Sequence, residues 1–423
     1  MDKFKVSLYE LLKSVSEAQD LVTPLLSNHH QQVAYLSFKL AQGMGLSVDD
    51  QNDIFIAGLV HDIGALSTVE RLEIIENETI HVNNHAFLGA KLLENFKPLQ
   101  NSAKIIKYHH LPWNEGNGRM YREETVLFGS HVVHLADRVC AMIKRDRNVL
   151  SQIPQIMERI YPDSGSIFEP EIVKALLELG KYEYIWFDLV SEAPTNKINT
   201  NLFHIIELDI DDVVELSIIF SQIIDFRSNF TARHSAGVAA TAEKLSELAG
   251  FSSVECKMML VAGYLHDLGK LSVDNKILEK PQKLDQDEFN EIRSHSYMTY
   301  QLLNHIPQFK QINEWASYHH ERMDGKGYPF HMNESNLSPG SRIMAVADVF
   351  TAITENRPYR EGMKDVQAIR VLKDMVFNHA LDEKIVGILI ENFQMLNELR
   401  ENAQIAAQKR YQEFLFIQYQ SGI

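Results

Sequence analysis

An internal duplication constrains the fold of this 423-residue chain more than any other feature of its sequence. Residues 29–64 and 234–269 align without a gap and share the positions of apolar residues, small residues and a His-Asp-(Ile/Leu)-Gly motif. Matching blocks follow in the same order, with an insertion in the second copy near residues 280–283 that predicts a loop. Repeats of this kind, about 200 residues long, indicate two copies of one domain.

The domain boundary is predicted at the polar, proline-containing stretch 191–200, which reads as a linker. We therefore predict a first domain at residues 1–195 and a second at residues 196–423. Apolar residues such as Val33 and Leu36 recur at three- and four-residue spacing, and no segment alternates with a period of two. The predicted fold class is all-α, with two tandem helical bundles.

The acidic composition limits the partners that the chain can bind. A formal net charge of −16 argues against duplex nucleic acid, so an anionic ligand would need a local cluster of cations. The two cysteines, Cys140 and Cys256, are far apart and favour a reducing compartment. The apolar runs at residues 54–60 and 258–265 are too short to cross a membrane. We therefore expect a cytoplasmic protein without a membrane partner, and the sequence leaves a homodimer open.

The second copy contains a set of side chains typical of transition-metal sites, because imidazole and carboxylate are standard ligands for such ions. Adjacent residues on a helix project about 100° apart, so adjacent ligand pairs suit two ions better than one. Two ions roughly 3.5–4 Å apart can activate water and hold a phosphoryl group. Asp267 can bridge them, with one ion on His266 and His319 and the other on His295 and His320. The predicted metal ligands are His234, His266, Asp267, His295, His319, His320 and Asp348.

The repeat is what separates this set from ordinary histidines. A single His-Asp pair in a helical sequence is usually a core or surface feature without a metal. The whole constellation, however, occurs a second time with nearly the same spacing, which chance placement would not produce. The corresponding residues of the first copy are His29, His61, Asp62, His85, His109, His110 and Asp137.

On these motifs, the second half resembles the HD-GYP family, a branch of the HD superfamily of metal-dependent phosphohydrolases. Residues 266–270 read HDLGK, residues 319–329 read HHERMDGKGYP, and residues 342–360 read RIMAVADVFTAITENRPYR. The resemblance covers roughly residues 220–400. It implies an iron or manganese centre and hydrolysis of cyclic di-GMP or a related cyclic dinucleotide to the linear 5'-phosphorylated product.

The resemblance also implies roles for further residues of the second half. Asp267 would act in catalysis as the bridging ligand, and Lys270 would contact the scissile phosphate and steer the attack. The alternative for Lys270, Arg357 and Arg360 is an ordinary solvated cation. The substrate-binding residues implied are Gly325, Gly327, Tyr328, Pro329, Arg357 and Arg360.

Departures from the family pattern bear on the metal count and the substrate. Some members carry a glutamate four residues before the first histidine and hold three metals, whereas Phe230 stands there in this chain, which predicts a dinuclear centre. His295-Ser296, Phe350-Thr351 and Phe330 also differ from the usual residues. The sequence therefore leaves the choice between cyclic di-GMP and 3'3'-cyclic GMP-AMP open.

The first copy keeps the ligand set but not its surroundings. Ala65 replaces the lysine, and residues 111–124 replace the GYP loop. Three interpretations compete for this domain: a metal-binding domain for regulation or assembly, a second phosphohydrolase, and a structural relic. One version of the second is a 5'-nucleotidase that removes the 5'-phosphate from the linear product.

Two rival functions for the whole chain remain. The protein could be a receptor that binds a cyclic dinucleotide with little or no turnover. It could also be an HD-type phosphohydrolase for nucleoside triphosphates or alarmones, although the GYP loop argues against that activity. Lys270 and the complete ligand set favour catalysis.

Overall fold

The computed structural model describes residues 4–21, 28–65, 83–198, 206–226, 233–280, 282–356 and 361–421. These residues are almost entirely helical, and the strands among them are two residues long. The strands form two small antiparallel pairs, β1 (Val6–Ser7) with β4 (Glu207–Leu208) and β2 (Met120–Tyr121) with β3 (Glu124–Thr125). The all-α prediction is confirmed. Among the described residues, no helix is long and apolar enough to span a membrane.

The chain divides into two compact units. One comprises Leu11–Ile206 and Phe414–Ile423 and is called the first unit; the other, Met1–Glu10 with Glu207–Glu413, is called the second unit. These units differ from the domains predicted at 1–195 and 196–423, chiefly because each chain end groups with the opposite half. The domain boundaries therefore stay a prediction.

The helices that precede residue 206 begin with α1, which crosses from the second unit into the first. Their bounds are α1 Leu8–Asp20, α2 His29–Gly43, α3 Val48–Val60, α4 Asn83–Leu93, α5 Gln100–Lys107, α6 Phe128–Met142, α7 Val149–Ile160, α8 Pro170–Leu179 and α9 Glu183–Leu189.

The first three helices that follow residue 206 correspond in order to α1, α2 and α3. The bounds of the helices after residue 206 are α10 Ile210–Asp225, α11 His234–Leu248, α12 Ser253–Leu265, α13 Asn275–Leu278, α14 Gln286–Asn304, α15 Lys310–Ser317, α16 Pro339–Thr354, α17 Asp365–Phe377, α18 Glu383–Glu391 and α19 Phe393–Ser421.

The helix starts follow from capping side chains. Ser47 accepts a hydrogen bond from the backbone N–H of Asp50 at the start of α3. The Ser252 side chain likewise accepts from the backbone N–H of Glu255 at the start of α12. In return, the Glu255 carboxylate accepts from the backbone N–H of Ser252. Such caps satisfy amide groups that have no partner inside the helix. They set where α3 and α12 begin, and therefore where the His-Asp pairs at their ends lie.

The predicted linker is part of the first unit as far as the structure describes it. Residues Pro194–Lys197 form a 3₁₀ helix, and the Thr195 side chain is only 2% exposed. Its hydroxyl donates to the Gln31 side chain at 2.7 Å. Composition alone did not show this burial, because a polar residue can be buried when it finds a partner. The insertion near residues 280–283 falls between α13 and α14, as predicted, with residue 281 outside the described part.

Glycine permits a close helix crossing in each unit. A Cβ atom on Gly58 of α3 would lie 2.7 Å from the Cα of Ala34 on α2, and one on Gly263 of α12 would lie 2.4 Å from the Cα of Ala239 on α11. Contacts this short are sterically forbidden, so the two backbones touch only because the glycine has no side chain. The crossing places the end of α3 or α12 beside the start of α2 or α11.

We predict that Gly263→Ala destabilises the protein by roughly 1–3 kcal/mol, since the added methyl group must push two backbones apart. Gly387→Ala is the matched control, because a Cβ there meets nothing within 4 Å inside α18. That control should be neutral or stabilising by roughly 0.5–1 kcal/mol. Urea unfolding measures both changes. Equal stability of the two variants would contradict the close crossing.

Two candidate metal centres

Five separate segments bring the predicted ligands of the second unit together. His234 is the first residue of α11, His295 lies on α14, and Asp348 lies on α16. The two adjacent pairs each follow the end of a helix, His266-Asp267 after α12 and His319-His320 after α15. All seven side chains are buried except His320, which is partly exposed.

The ligand atoms of this set fall into overlapping groups in which all atoms lie within 4.8 Å of one another. His266 lies in one group with His319, and His295 lies in another with His320. His319 additionally lies with His295, whose Nε2 is 3.2 Å from its own Nε2. The groups are His234, His266 and Asp348; His266, Asp267 and His319; and His295, His319 and His320.

Asp267 presents its two oxygens to opposite sides of the site. Oδ2 is 3.3 Å from Nε2 of His266, and Oδ1 is 3.3 Å from Nε2 of His295. Asp62 does the same in the first unit, with Oδ2 at 3.3 Å from His61 and Oδ1 at 3.0 Å from His85. A carboxylate that faces two ligand groups in this way can bridge two ions.

Backbone carbonyls orient the imidazole rings. In the second unit the Nδ1 atoms of His266, His295 and His319 each donate to the carbonyl three residues earlier, at 2.7, 2.5 and 2.6 Å. His61 and His109 of the first unit make the same bond, at 3.0 and 2.7 Å. Because the proton then lies on Nδ1, the Nε2 lone pair points to the centre, as in metal-binding histidines.

The protonation states of His295 and Asp267 suit metal binding, which needs neutral imidazoles and ionised carboxylates. Burial lowers the pKa of His295 to about 3. Burial pushes the pKa of Asp267 upward, but the charges of His266 and Lys270 outweigh it and hold that pKa well below its usual range.

His234 differs from the other ligands because it lies between two carboxylates. Its Nε2 is 3.2 Å from Asp348 and its Nδ1 is 3.1 Å from Glu355. Burial lowers the pKa of His234, but Glu355 and Asp348 outweigh burial and raise it to about 10. Gln404 in turn donates to Glu355 at 3.0 Å. Sequence reasoning missed Glu355. It caps the end of α16 seven residues after Asp348, and that spacing, about two helical turns, puts both residues on the same side of the helix.

Lys270 lies at the centre of the second unit and is not a solvated surface lysine. It belongs to the 3₁₀ helix Leu268–Ser272, and its Nζ is 2.6 Å from Oδ2 of Asp267. Its side chain is 20% exposed. The ammonium group therefore stands beside the Asp267 carboxylate and is only partly exposed.

The GYP loop packs against the ligands. The Tyr328 ring lies 4.8 Å from the His320 ring, and the Arg293 guanidinium lies 4.7 Å from the Tyr328 ring centre. Gly325 has a φ of 72°, and a Cβ on Gly327 would lie 2.5 Å from the backbone of residues 321–322. Pro329 follows Tyr328 through a cis peptide bond. Arg293 is a second residue that sequence reasoning missed. Phe230, Arg357 and Arg360 lie outside the described residues.

The first unit assembles its own predicted set, and all seven side chains are buried. His29 begins α2, His85 lies on α4 and Asp137 lies on α6. Nε2 of His29 is 3.2 Å from Oδ1 of Asp137. Two groups have all ligand atoms within 4.8 Å of one another, namely His29, His61 and Asp137, and Asp62, His85, His109 and His110.

Unsatisfied polar atoms in the first unit test whether a metal fits there. Within the described part of the chain, several ligand atoms are buried without a hydrogen bond. Some of them, such as Nε2 of His29 and Oδ1 of Asp137, lie within ion-pair distance of each other. Each such atom costs about 1–3 kcal/mol unless something else binds it. A cation among these atoms would remove that cost, so the donor set fits a transition metal. The atoms are Nε2 of His29, His61 and His109, and Oδ1 of Asp62 and Asp137.

The surroundings of the first centre differ from those of the second. Ala65, at the position of Lys270, is fully buried. In place of the GYP loop, this unit has a 3₁₀ helix at Asn114–Arg119 followed by the β2–β3 hairpin, with the Trp113 ring 5.2 Å from the His131 ring. His30 is a further buried histidine beside the ligands, which the sequence analysis did not single out.

Comparisons with known proteins agree with this architecture. One HD-domain family model matches residues 219–385 and another matches residues 26–142. The 3'3'-cGAMP-specific phosphodiesterase 1 of Vibrio cholerae is 30% identical over 407 residues, which is 94% of each chain. A cyclic di-GMP phosphodiesterase of Pseudomonas aeruginosa is 37% identical over 142 residues, 33% of this chain and 34% of that protein.

A solved structure extends the likeness to the fold. The crystal structure of a cyclic GMP-AMP specific phosphodiesterase of V. cholerae matches with a TM-score of 0.64 at 22% identity, over 92% of this chain and 98% of that chain. Together with the assembled HD motifs and the GYP loop, these matches confirm the predicted family. The chain belongs to the HD-GYP family of HD-domain phosphodiesterases, with a further HD domain ahead of the HD-GYP domain.

Proposed function

We propose that the second unit hydrolyses a cyclic dinucleotide to the linear 5'-phosphorylated dinucleotide. One observation carries this proposal: Lys270 lies 2.6 Å from Asp267 within a complete set of seven ligands, six of them buried. Of the two substrates left open by the sequence, 3'3'-cyclic GMP-AMP is favoured over cyclic di-GMP. The relative that matches 94% of its own length, both HD domains included, is named for that specificity.

The donor set favours a dinuclear iron or manganese centre. Imidazole with carboxylate suits these ions, and the two oxygens of Asp267 face separate ligand groups. We place His319 with the second ion, in departure from the pairing predicted from the sequence. The support is its counterpart His109, which groups with Asp62 and His85 and not with His61. Such a centre, when bound, supplies Lewis acidity that activates water and neutralises phosphate charge. One ion would lie among His234, His266, Asp267 and Asp348, and the other among Asp267, His295, His319 and His320.

The protein's own groups position the phosphodiester. Lys270 can contact a non-bridging oxygen and stabilise the charge that develops on it. Tyr328, held between the His320 ring and Arg293, offers a ring face and a hydroxyl beside the ligands. In the reaction, the oxygen of water bonds to phosphorus, the bond from phosphorus to the 3' oxygen breaks, and that oxygen takes up a proton. The phosphate stays on the 5' oxygen.

The receptor alternative is separable from catalysis by one experiment. The protein is purified anaerobically with iron or manganese, and 3'3'-cyclic GMP-AMP and cyclic di-GMP are followed by chromatography. We expect both to be linearised, the former faster, with no cleavage by Asp267→Ala. Binding without cleavage by the metal-loaded wild type would support the receptor and reject the enzyme.

For the first unit, the proposal is a second metal-dependent phosphohydrolase that releases the 5'-phosphate from the linear product. The buried ligand atoms without hydrogen bonds favour a bound metal over a structural relic. A metal-binding domain for regulation or assembly is the alternative, and it would hold metal without releasing phosphate. The absence of the lysine and the GYP loop from its sequence suits a substrate other than the cyclic diester.

Lys270→Met tests the role of the lysine in the diesterase. Loss of a charge aimed at the developing negative charge should lower kcat by about 10²–10³-fold. Metal content should stay unchanged, because Lys270 is not a ligand. Lys276→Met, which removes an exposed lysine of α13, serves as control and should keep full activity. Unchanged kcat in Lys270→Met would contradict the role.

Asp62→Ala and Asp267→Ala should each halve the metal content of the chain, since each removes one bridging carboxylate. The first should stop phosphate release from a linear 5'-phosphorylated dinucleotide while leaving cleavage of the cyclic one. The second should do the reverse. Elemental analysis and separate assays of the two steps measure these changes. Phosphate release that survives in Asp62→Ala would reject the second activity.

A further inference from the structure

The lysine beside Asp267 in the second unit has no aligned counterpart in the first, where Ala65 takes its position. Lys270 reaches Asp267 at 2.6 Å, whereas the methyl group of Ala65 cannot make a polar contact with Asp62. Ala65 is fully buried, so solvent does not fill the position either. If the first centre is a hydrolase, as proposed above, another residue must contact the reacting groups.

A buried histidine–aspartate pair lies beside this centre. His30, the residue after the ligand His29, is 1% exposed, and its Nδ1 is 2.5 Å from Oδ1 of Asp20 at the end of α1. Its ring lies 5.1 Å from the ring of the ligand His61. Nε2 of His30 is buried and has no hydrogen-bond partner among the described residues.

The hydrogen bond determines what Nε2 can do. An ionised aspartate only accepts hydrogen bonds, so Nδ1 of His30 carries the proton that Asp20 accepts. In the neutral ring, Nε2 then carries a lone pair on the side away from Asp20. An aspartate holds the catalytic histidine of serine hydrolases in the same tautomer.

The second unit fills the equivalent positions differently. Asp225 corresponds to Asp20, and Ser235, which donates to Asp225 at 2.9 Å, corresponds to His30. A serine side chain is too short to extend past that aspartate. Lys270 interacts electrostatically with Asp225 as well as with Asp267. Both copies thus keep the aspartate. Where the second copy has Ser235 and Lys270, the first has His30 and Ala65.

His30 does not belong to the metal-ligand groups themselves. Among the described residues, the groups with ligand atoms within 4.8 Å of one another include His29 and His61 but not His30. It therefore stands next to the ligands, as Lys270 does in the second unit. Its ring centre is 5.8 Å from that of His29 and 5.1 Å from that of His61, and its Nε2 is a buried acceptor without a hydrogen bond beside these two ligands.

We propose that His30, held by Asp20, is a water-positioning residue of the first centre: its Nε2 accepts a hydrogen bond from the water that attacks a terminal 5'-phosphate. The oxygen of that water bonds to phosphorus, the bond from phosphorus to the 5' oxygen breaks, and the 5' oxygen takes up a proton. The products are inorganic phosphate and a dinucleoside monophosphate with a free 5' hydroxyl. This inference rests on the proposed second activity.

The test compares His30→Ala, His30→Gln and Asp20→Asn in the full-length, metal-loaded protein with a linear 5'-phosphorylated dinucleotide. Loss of water positioning should lower kcat of phosphate release by about 100-fold in His30→Ala, with KM nearly unchanged. Metal content should equal that of the wild type. Cleavage of the cyclic dinucleotide by the second unit reports that the chain is folded.

The variants separate positioning from structure. His30→Gln keeps an acceptor and most of the volume, so it should retain more activity than His30→Ala, while Asp20→Asn should lose at least about 10-fold because the ring is no longer held. His131→Ala removes another buried imidazole, which contacts the Gly118 carbonyl, and should leave kcat unchanged.

The outcomes are distinct. A wild type that holds metal in the first centre but releases no phosphate would reject the second activity, and the role of His30 with it. Phosphate release that is equal in the wild type and in His30→Ala would reject only the role of His30. Loss of metal in His30→Ala would also reject the water-positioning role, because it would show that His30 is a metal ligand.

Discussion

The structure depends on one aspartate in each unit that faces two groups of ligands at once. Asp267 and Asp62 each turn one oxygen to the histidine before them and the other to a histidine from a different helix. That geometry requires the helix that ends at the His-Asp pair to lie in backbone contact with the helix that begins at the first ligand. Gly263 and Gly58 allow this contact, because any side chain there would overlap the partner backbone. The close helix crossing that shapes the fold is therefore also what positions the ligands.

The duplication shows how one ligand set can be given two surroundings. In the second unit, Lys270 and the GYP loop place a cation and an aromatic ring beside the ligands. In the first, Ala65 and His30 replace the cation with an imidazole held by Asp20. In the proposed roles, Lys270 donates to a phosphate oxygen and stabilises its charge, whereas His30 accepts from water and orients it. Their separation fits a diester opened in one unit and a terminal phosphate removed in the other.

Much of this was predictable from the sequence because the informative residues repeat. The two ligand sets follow motifs that occur twice, and helical periodicity gave the all-α fold. Glu355 and Arg293 were missed because their contacts, with His234 and Tyr328, join segments that lie far apart in the sequence. The Asp20–His30 pair was missed because Ser235 stands in place of His30 in the second copy, so no second histidine marks the position. The burial of Thr195 was missed because composition does not show which polar residues find a partner.

The central claim, that both copies of the ligand set hold paired metals bridged by an aspartate, is tested most directly by anomalous X-ray diffraction. Crystals of anaerobically prepared, iron-loaded protein would be measured on both sides of the iron absorption edge. The account predicts two peaks roughly 3.5–4 Å apart in each unit, with Asp267 or Asp62 between them. A single peak in either unit, or none in the first, would contradict it.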